Sequence, residues 1–298
     1  MKSKQKSIGY GILVLAIIGI IFISGCIKSP ETKQFAESLP QINENLGIAL
    51  GNIHTDFYNY DLEYKWSRLM NYLTITESMI NEMKIYEDKI KNEMSYIENT
   101  TIQFQQSKQN VDINQLSEEE KNTLNEIEIK ITDYQTNKDK INSCLNAMQT
   151  YCEFIDIGRL KLIKLEEFYT KLNSINEEIE SGYYDDALSD IDDLKQIVVD
   201  IKNLVLQQSE LGILTYDEKV ISSWGIYLES LDELKKYVNY LKAGDYESAD
   251  SQYTIYSQKY TEAVKASESE NINLINNQID AWYQNNIGVC VDIFVQYS

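Results

Sequence analysis

The sequence predicts an all-α protein, built as a long antiparallel coiled-coil hairpin followed by a C-terminal helical bundle. No proline occurs after Pro40, and no glycine occurs between Gly51 and Gly158. Proline breaks helices and glycine weakens them, so this long stretch favours continuous helix. Apolar residues recur there every three and four positions, which is the spacing that keeps one helix face against a partner.

The N-terminal residues have the layout of an export signal. Lys2, Lys4 and Lys6 precede an uncharged apolar run from Ile8 to Ser24. As a helix, this run of about 17 residues would span roughly 26 Å, which is marginal for a bilayer. Its length therefore does not distinguish a cleaved signal from a retained transmembrane anchor. In both cases the lysines favour the cytoplasmic side, so the rest of the chain is expected outside the membrane.

The apolar run ends in the sequence ISGC, whose last residue is Cys26. This segment resembles the lipobox of bacterial and archaeal lipoproteins, in which an aliphatic residue and two small residues precede a cysteine. The resemblance implies that residues 1–25 are removed and that Cys26 carries lipid at the mature N-terminus. The alternative is an uncleaved anchor with an incidental cysteine. Residues 26–54 are expected to form an exposed tether around Pro30 and a first short helix.

Two seven-residue ladders predict the coiled-coil arm, over residues 55–180. Ser117 and Glu120 form a capping box that begins the second helix. The polar segment 107–116 is then the tip of the arm, which we expect to project from the bundle toward a partner. Polar side chains interrupt the ladders at four positions, which we interpret as register markers or solvated edges: Thr76, Glu87, Thr101 and Lys138.

Residues 181–298 contain shorter ladders that predict the helical bundle. The segments SGYYDDAL and AGDYESAD share glycine, tyrosine and alanine at the same spacing: Gly182, Tyr184 and Ala187 in the first, and Gly244, Tyr246 and Ala249 in the second. They resemble the inter-helix turn of tetratricopeptide-like repeats, where glycine ends one helix and alanine permits close packing of the next. The copies lie 62 residues apart, whereas such repeats recur every ~34 residues. We therefore interpret them as two helical hairpins of a bundle, without the peptide-binding groove of those repeats.

The chain is strongly acidic, with a formal net charge of −20. This charge repels the phosphates of nucleic acids, which argues against nucleic-acid binding. The expected partners are the membrane, through the N-terminal lipid or helix, and a protein that the sequence does not identify.

The cysteines leave the disulfide pattern open. If Cys26 carries lipid, Cys144, Cys152 and Cys290 remain. On one helix, the α-carbons of Cys144 and Cys152 would be about 12 Å apart, too far for a disulfide. Either could pair with Cys290 if the C-terminus folds back. Buried free thiols are the preferred interpretation.

The sequence offers few residues for catalysis or metal binding. His54 is the single histidine, so neither a catalytic triad nor a histidine-rich metal site can be built from it. Asp186, Asp190 and Asp193 share one helix face and could attract calcium, but no glycine-containing loop accompanies them. We interpret this face as solvated, and we expect no cofactor and no metal site.

Two further features concern the surface. Asn99 begins the sequence NTT, a glycosylation sequon on an exported chain, and could carry a glycan. Four tyrosines lie on one predicted helix face and suit either packing or recognition, of which packing is the preferred interpretation: Tyr246, Tyr253, Tyr256 and Tyr260.

Together these features predict a lipid-anchored protein on the extracytoplasmic face of the cell membrane, with a non-catalytic binding, spacing or scaffolding role. One alternative is an accessory subunit of a membrane complex, held by an uncleaved transmembrane helix. A weaker alternative is a hydrolase that uses carboxylates alone.

Overall fold

The fold is all-α, as predicted. The computed structural model describes residues 28–69, 77–267 and 272–298, and helices account for the regular secondary structure of these residues. The α-helices are α1 (Pro30–Leu69), α2 (Glu77–Lys108), α3 (Glu118–Ser181), α4 (Tyr184–Glu210), α5 (Glu218–Ala243), α6 (Tyr246–Ser267) and α7 (Ile272–Asn286), with short 3-10 helices at Ile113–Gln115, Gly288–Cys290 and Val295–Tyr297.

Helices α2 and α3 form the predicted antiparallel hairpin, and α1 packs along it as a third helix. Lys138 of α3 pairs with Glu98 of α2 at 2.8 Å. On α1, the Tyr60 hydroxyl donates to the carbonyl oxygen of Met148 at 3.1 Å. The apolar seam of α1 explains this packing: the side chains of Leu39, Leu46, Leu50, Ile53 and Phe57 are at most 1% exposed.

The prediction of an exposed tether and a short first helix is wrong. Helix α1 begins at Pro30 and continues through the expected boundary at residue 54 to Leu69. Thr32 is fully buried and Phe35 is 3% exposed, with its ring 5.8 Å from that of Phe104 on α2. The first turns of α1 therefore contribute side chains to the core of the three-helix bundle.

The tip of the hairpin contacts the start of α1, a contact that the sequence did not predict. The backbone N–H of Ser29 donates to the side-chain oxygen of Gln115 at 2.9 Å. Lys28 forms an ion pair with Glu120, which also completes the capping box of α3 with Ser117. The tip therefore holds the start of α1, and we call these contacts the N-terminal clamp.

The second half of α3 continues into the C-terminal bundle, where it packs against α4, and α5 packs between α4 and α6. Gly182 ends α3 with φ 80° and Gly244 ends α5 with φ 77°, a left-handed conformation that glycine adopts without a steric penalty. Ala187 and Ala249 are fully buried. The interpretation of both segments as turns of helical hairpins is confirmed.

The C-terminal segment folds back onto the three-helix bundle. A disulfide joins Cys290 to Cys144 of α3, while Cys152 is a buried free thiol. Preferring free thiols for all three cysteines was therefore wrong. The segment ends beside α1 and α3, where the Tyr297 hydroxyl donates to Asp133.

None of the described helices is long and apolar enough to cross a membrane.

Candidate functional site

The structure describes one of the two predicted modification sites, Asn99. Cys26, the predicted lipid attachment site, and the apolar run before it lie outside the described residues. Asn99 lies in the middle of α2 with an exposed side chain. Glycosylation at Asn99 therefore stays a prediction.

His54 lies inside α1 rather than on a tether. Its side chain is half-buried, and its Nδ1 atom is buried without a hydrogen-bond partner in the described part of the chain. A histidine that acts as a general base needs an orienting partner, and none contacts Nδ1 here.

A buried polar cluster lies where α1, α2 and α3 meet. The thiol of Cys152 donates to a Glu87 carboxylate oxygen at 3.4 Å, and the Tyr60 hydroxyl lies 3.5 Å from the same sulfur. Glu87 is 5% exposed, and Lys91 is 3.8 Å from its other oxygen. Of the two interpretations of Glu87, a solvated edge is wrong because the carboxylate is buried, while a role as a register marker stays a prediction.

The electrostatics of this cluster suit structure rather than nucleophilic chemistry. Burial raises the pKa of Cys152 to about 12, so the thiol stays protonated at neutral pH. Burial also raises the pKa of Glu87, against the opposing effects of the Cys152 hydrogen bond and Lys91. A protonated, enclosed thiol is neither a ready nucleophile nor a metal ligand.

A groove of about 390 Å³ runs between α1 and α2 close to the N-terminal clamp. Phe35 and Phe104 line it together with amides and hydroxyls, and among the described residues Glu31 is the one ionisable residue in its lining. Carboxylate-based hydrolysis uses a pair of acidic groups, and this groove contains one.

The acidic face of α4 contacts lysines of neighbouring helices. Lys171 of α3 lies 2.9 Å from Asp190 and 3.3 Å from Asp193, and Lys235 of α5 lies 2.6 Å from Asp192. Of the predicted acidic face, Asp190 and Asp193 thus pair with a lysine of α3, whereas Asp186 is exposed to solvent. Among the described residues, no group of three or more histidine, cysteine or acidic side chains is arranged to hold a metal ion.

The tyrosine face of α6 divides into a packed half and an exposed half. The Tyr260 ring lies 5.6 Å from that of Tyr227 on α5, and burial raises the pKa of Tyr256. Tyr246 and Tyr253 are instead 66% and 50% exposed. The later part of this face is therefore packed against α5, and its beginning is exposed to solvent.

The exposed half belongs to a larger surface at the end of the C-terminal bundle. Lys242 pairs with Asp185, so the turns at Gly182 and Gly244 lie side by side. We call this end the distal surface, and define it as residues 177–190, 240–250 and Tyr253. Exposed tyrosines mark it: Tyr183, Tyr240, Tyr246 and Tyr253.

The distal surface was only partly visible in the sequence. Tyr246 and Tyr253 stand out through their helical spacing, but Tyr183 and Tyr240 belong to other helices. The similarity of the two glycine turns was the signal that could have placed the turns at one end.

No protein-family model, curated protein or solved structure matches the chain.

Proposed function

We propose that the chain is a lipid-anchored extracytoplasmic spacer that holds its distal surface away from the membrane for binding. The role is non-catalytic. Cys26 carries the lipid, and residues 28–298 form the extracytoplasmic part.

The observation that carries this proposal is the position of the two ends of α3. Glu120, in the first turn of α3, pairs with Lys28. Lys28 lies two residues after Cys26, the proposed lipid site. The helix then continues for 64 residues to the turn at Gly182, or about 95 Å at 1.5 Å per residue. A membrane anchor at Cys26 would therefore place the hairpin tip beside the bilayer and the distal surface far from it.

The disulfide supports the extracytoplasmic location. Disulfides form and persist mainly in oxidising compartments outside the cytosol. The pairing of Cys144 with Cys290 ties the C-terminal segment to α3, so an oxidising compartment would stabilise this fold.

The anchoring is tested by the intact mass of the chain purified from native membranes. We expect a chain that begins at Cys26 and carries the added mass of lipid, and we expect Cys26→Ala to retain residues 1–25 without lipid. The matched control is Cys152→Ser, which should leave processing unchanged. A wild-type chain that retains residues 1–25 would instead support the uncleaved transmembrane anchor.

The orientation is tested with a fluorophore on single introduced cysteines in the membrane-bound chain. Asn110→Cys labels the hairpin tip and Ser181→Cys labels the distal surface, and both positions are exposed. Quenchers on lipid headgroups should reduce the emission from position 110 and not from position 181. Equal quenching at both positions would contradict an upright orientation.

A further inference from the structure

The distal surface combines exposed aromatic rings with negative charge. Tyr183 precedes α4 and Tyr246 begins α6, and their side chains are 63% and 66% exposed. Tyr253 follows two turns later on α6, where its ring lies 5.3 Å from that of half-buried Tyr237 on α5. Asp250 lies between them on the same helix face, one turn from each. The first turns of α6 thus present a tyrosine, a carboxylate and a tyrosine to solvent.

Most of the charge on this surface has no internal counter-charge. Residues 177–190 and 240–250 contain nine carboxylates and one lysine, Lys242, which pairs with Asp185. Asp190 pairs with Lys171, which lies earlier in α3 and outside the distal surface. Six exposed carboxylates form no ion pair within the described part of the chain: Glu177, Glu180, Asp186, Asp245, Glu247 and Asp250.

We propose that the distal surface binds a basic, arginine-rich segment of a partner protein. A guanidinium group stacks on tyrosine rings and forms paired hydrogen bonds with carboxylates, and this surface offers both groups. A lysine-rich segment would satisfy the carboxylates but would gain less from the rings. The carboxylates would repel an acidic segment. An apolar segment would remove unpaired carboxylates from water, which is costly in free energy. Because the inference names the partner class of the proposed binding surface, it rests on the proposed function.

The test uses the full chain in detergent micelles and three fluorescent peptides, in which glycine alternates with arginine, lysine or glutamate. Fluorescence anisotropy measures their binding at low and high salt. We expect the arginine peptide to bind at least about threefold more tightly than the lysine peptide, and no binding of the glutamate peptide. Salt should weaken the binding, because exposed charges are screened.

Variants locate the binding on the molecule. Tyr246→Ala and Tyr253→Ala should each weaken arginine-peptide binding by about two- to fivefold. The matched control is Tyr58→Ala, which removes a 49% exposed tyrosine from α1 and should have no effect. The pair Glu247→Gln and Asp250→Asn should weaken binding more than Asp139→Asn and Glu153→Gln, which remove two exposed carboxylates of α3 outside the distal surface.

The outcomes separate this proposal from the anchoring. Equal affinity for the arginine and lysine peptides would show only general attraction to an acidic protein, and would overturn the proposal. Equal losses in the distal and control variants would overturn it as well. Peptide binding in micelles does not require lipid on Cys26. If the chain from native membranes binds selectively but its intact mass shows no lipid, the anchoring alone is rejected.

Discussion

The carbonyl oxygen of Tyr297 lies 2.6 Å from the position that a β-carbon on Gly51 would occupy. Real side chains do not tolerate so short a contact with backbone. At Gly51 the C-terminal segment therefore lies close to the backbone of α1, and the absence of a side chain there permits the segment to pack.

Gly51→Ala should destabilise the fold, although alanine normally favours a helix. The new methyl group must displace the backbone at Tyr297, and we expect a loss of about 1–3 kcal/mol in the free energy of unfolding. Gly225→Ala is the matched control in α5, where no described atom beyond the neighbouring residues and the local helix backbone lies within 4 Å of the new β-carbon. It should stabilise the fold by about 0.5–1 kcal/mol. Denaturant titration of both variants gives the comparison, and stabilisation by both would contradict close packing of the C-terminal segment.

The N-terminal clamp should depend on the carboxylate of Glu120. The Lys28 hydrogen bond, and then the Ser117 backbone, lower the pKa of Glu120 against the opposing effect of burial. Its stabilising effect should therefore be present at neutral pH and disappear as the pH falls through the lowered pKa. Glu120→Gln should cost about 1 kcal/mol at neutral pH and should speed hydrogen exchange of the Lys33 amide in the first turn of α1. Glu119→Gln, an exposed neighbour in the same helical turn, should change neither quantity.

Glu87 should make the free energy of unfolding fall as the pH rises. Its pKa is raised above the ordinary value of 4.5, so between these two values the folded chain binds more protons than the unfolded chain. Stability is then lost as the pH increases through that window. Glu87→Gln keeps an oxygen that can accept from Cys152 but removes the charge, and should gain on the order of 1 kcal/mol near neutral pH.

Chemical denaturation between about pH 4 and pH 7 measures this difference. The advantage of the glutamine variant should shrink toward the acidic end. Asp88→Asn, an exposed neighbour on α2, should show no such trend. An advantage that does not change with pH would mean that Glu87 is ionised with its ordinary pKa.

The disulfide should account for a large part of the stability. Cys290→Ser should lower the free energy of unfolding by about 3 kcal/mol, since a cross-link over a long loop restricts the unfolded chain. Cys152→Ser should have a smaller effect. Alkylation of the unfolded, unreduced chain should modify Cys152 and leave Cys144 and Cys290 unmodified, as read by peptide mass. Alkylation of all three would contradict the pairing.

The C-terminal bundle should require the second half of α3. Phe168, Leu172 and Ile175 of this half are buried, and Phe168 packs 5.7 Å from the ring of Tyr227 on α5. A fragment of residues 156–267 should therefore unfold cooperatively on heating, as followed by circular dichroism. A fragment of residues 183–298 lacks this half and should not. Cooperative unfolding of the shorter fragment would show that α3 is dispensable for the bundle.

The helices of the hairpin could be predicted because their burial follows a local pattern. Ile80, Met83 and Ile90 are ladder positions of α2, and each is at most 2% exposed. Spacing along one helix determines which face is apolar, and that information is contained in the sequence. It does not determine which helix covers that face, so the sequence did not reveal α1 as the third helix.

The remaining errors have similar physical causes. Pro40 lies inside α1 with its ring exposed. Proline removes one backbone hydrogen bond of the helix, and the burial of α1 on both sides of Pro40 outweighs that loss. Burial of this kind depends on the tertiary structure. The pairing of Cys144 with Cys290 depends on contacts between residues 146 positions apart. The distal surface likewise depends on the side-by-side packing of two turns, which the Asp185–Lys242 ion pair shows. The periodicity of a single helix does not encode this packing.

The Cys144–Cys290 bond also turns the second half of α3 and all of α4 to α7 into a closed covalent ring. A protease that cuts once inside this ring opens it but releases nothing, because each new end remains bonded to the N-terminal part. Two cuts inside the ring are needed to release a piece of it that carries the distal turns. After a first cleavage inside the ring, the distal turns would thus stay attached to the N-terminal part for as long as the disulfide stays oxidised.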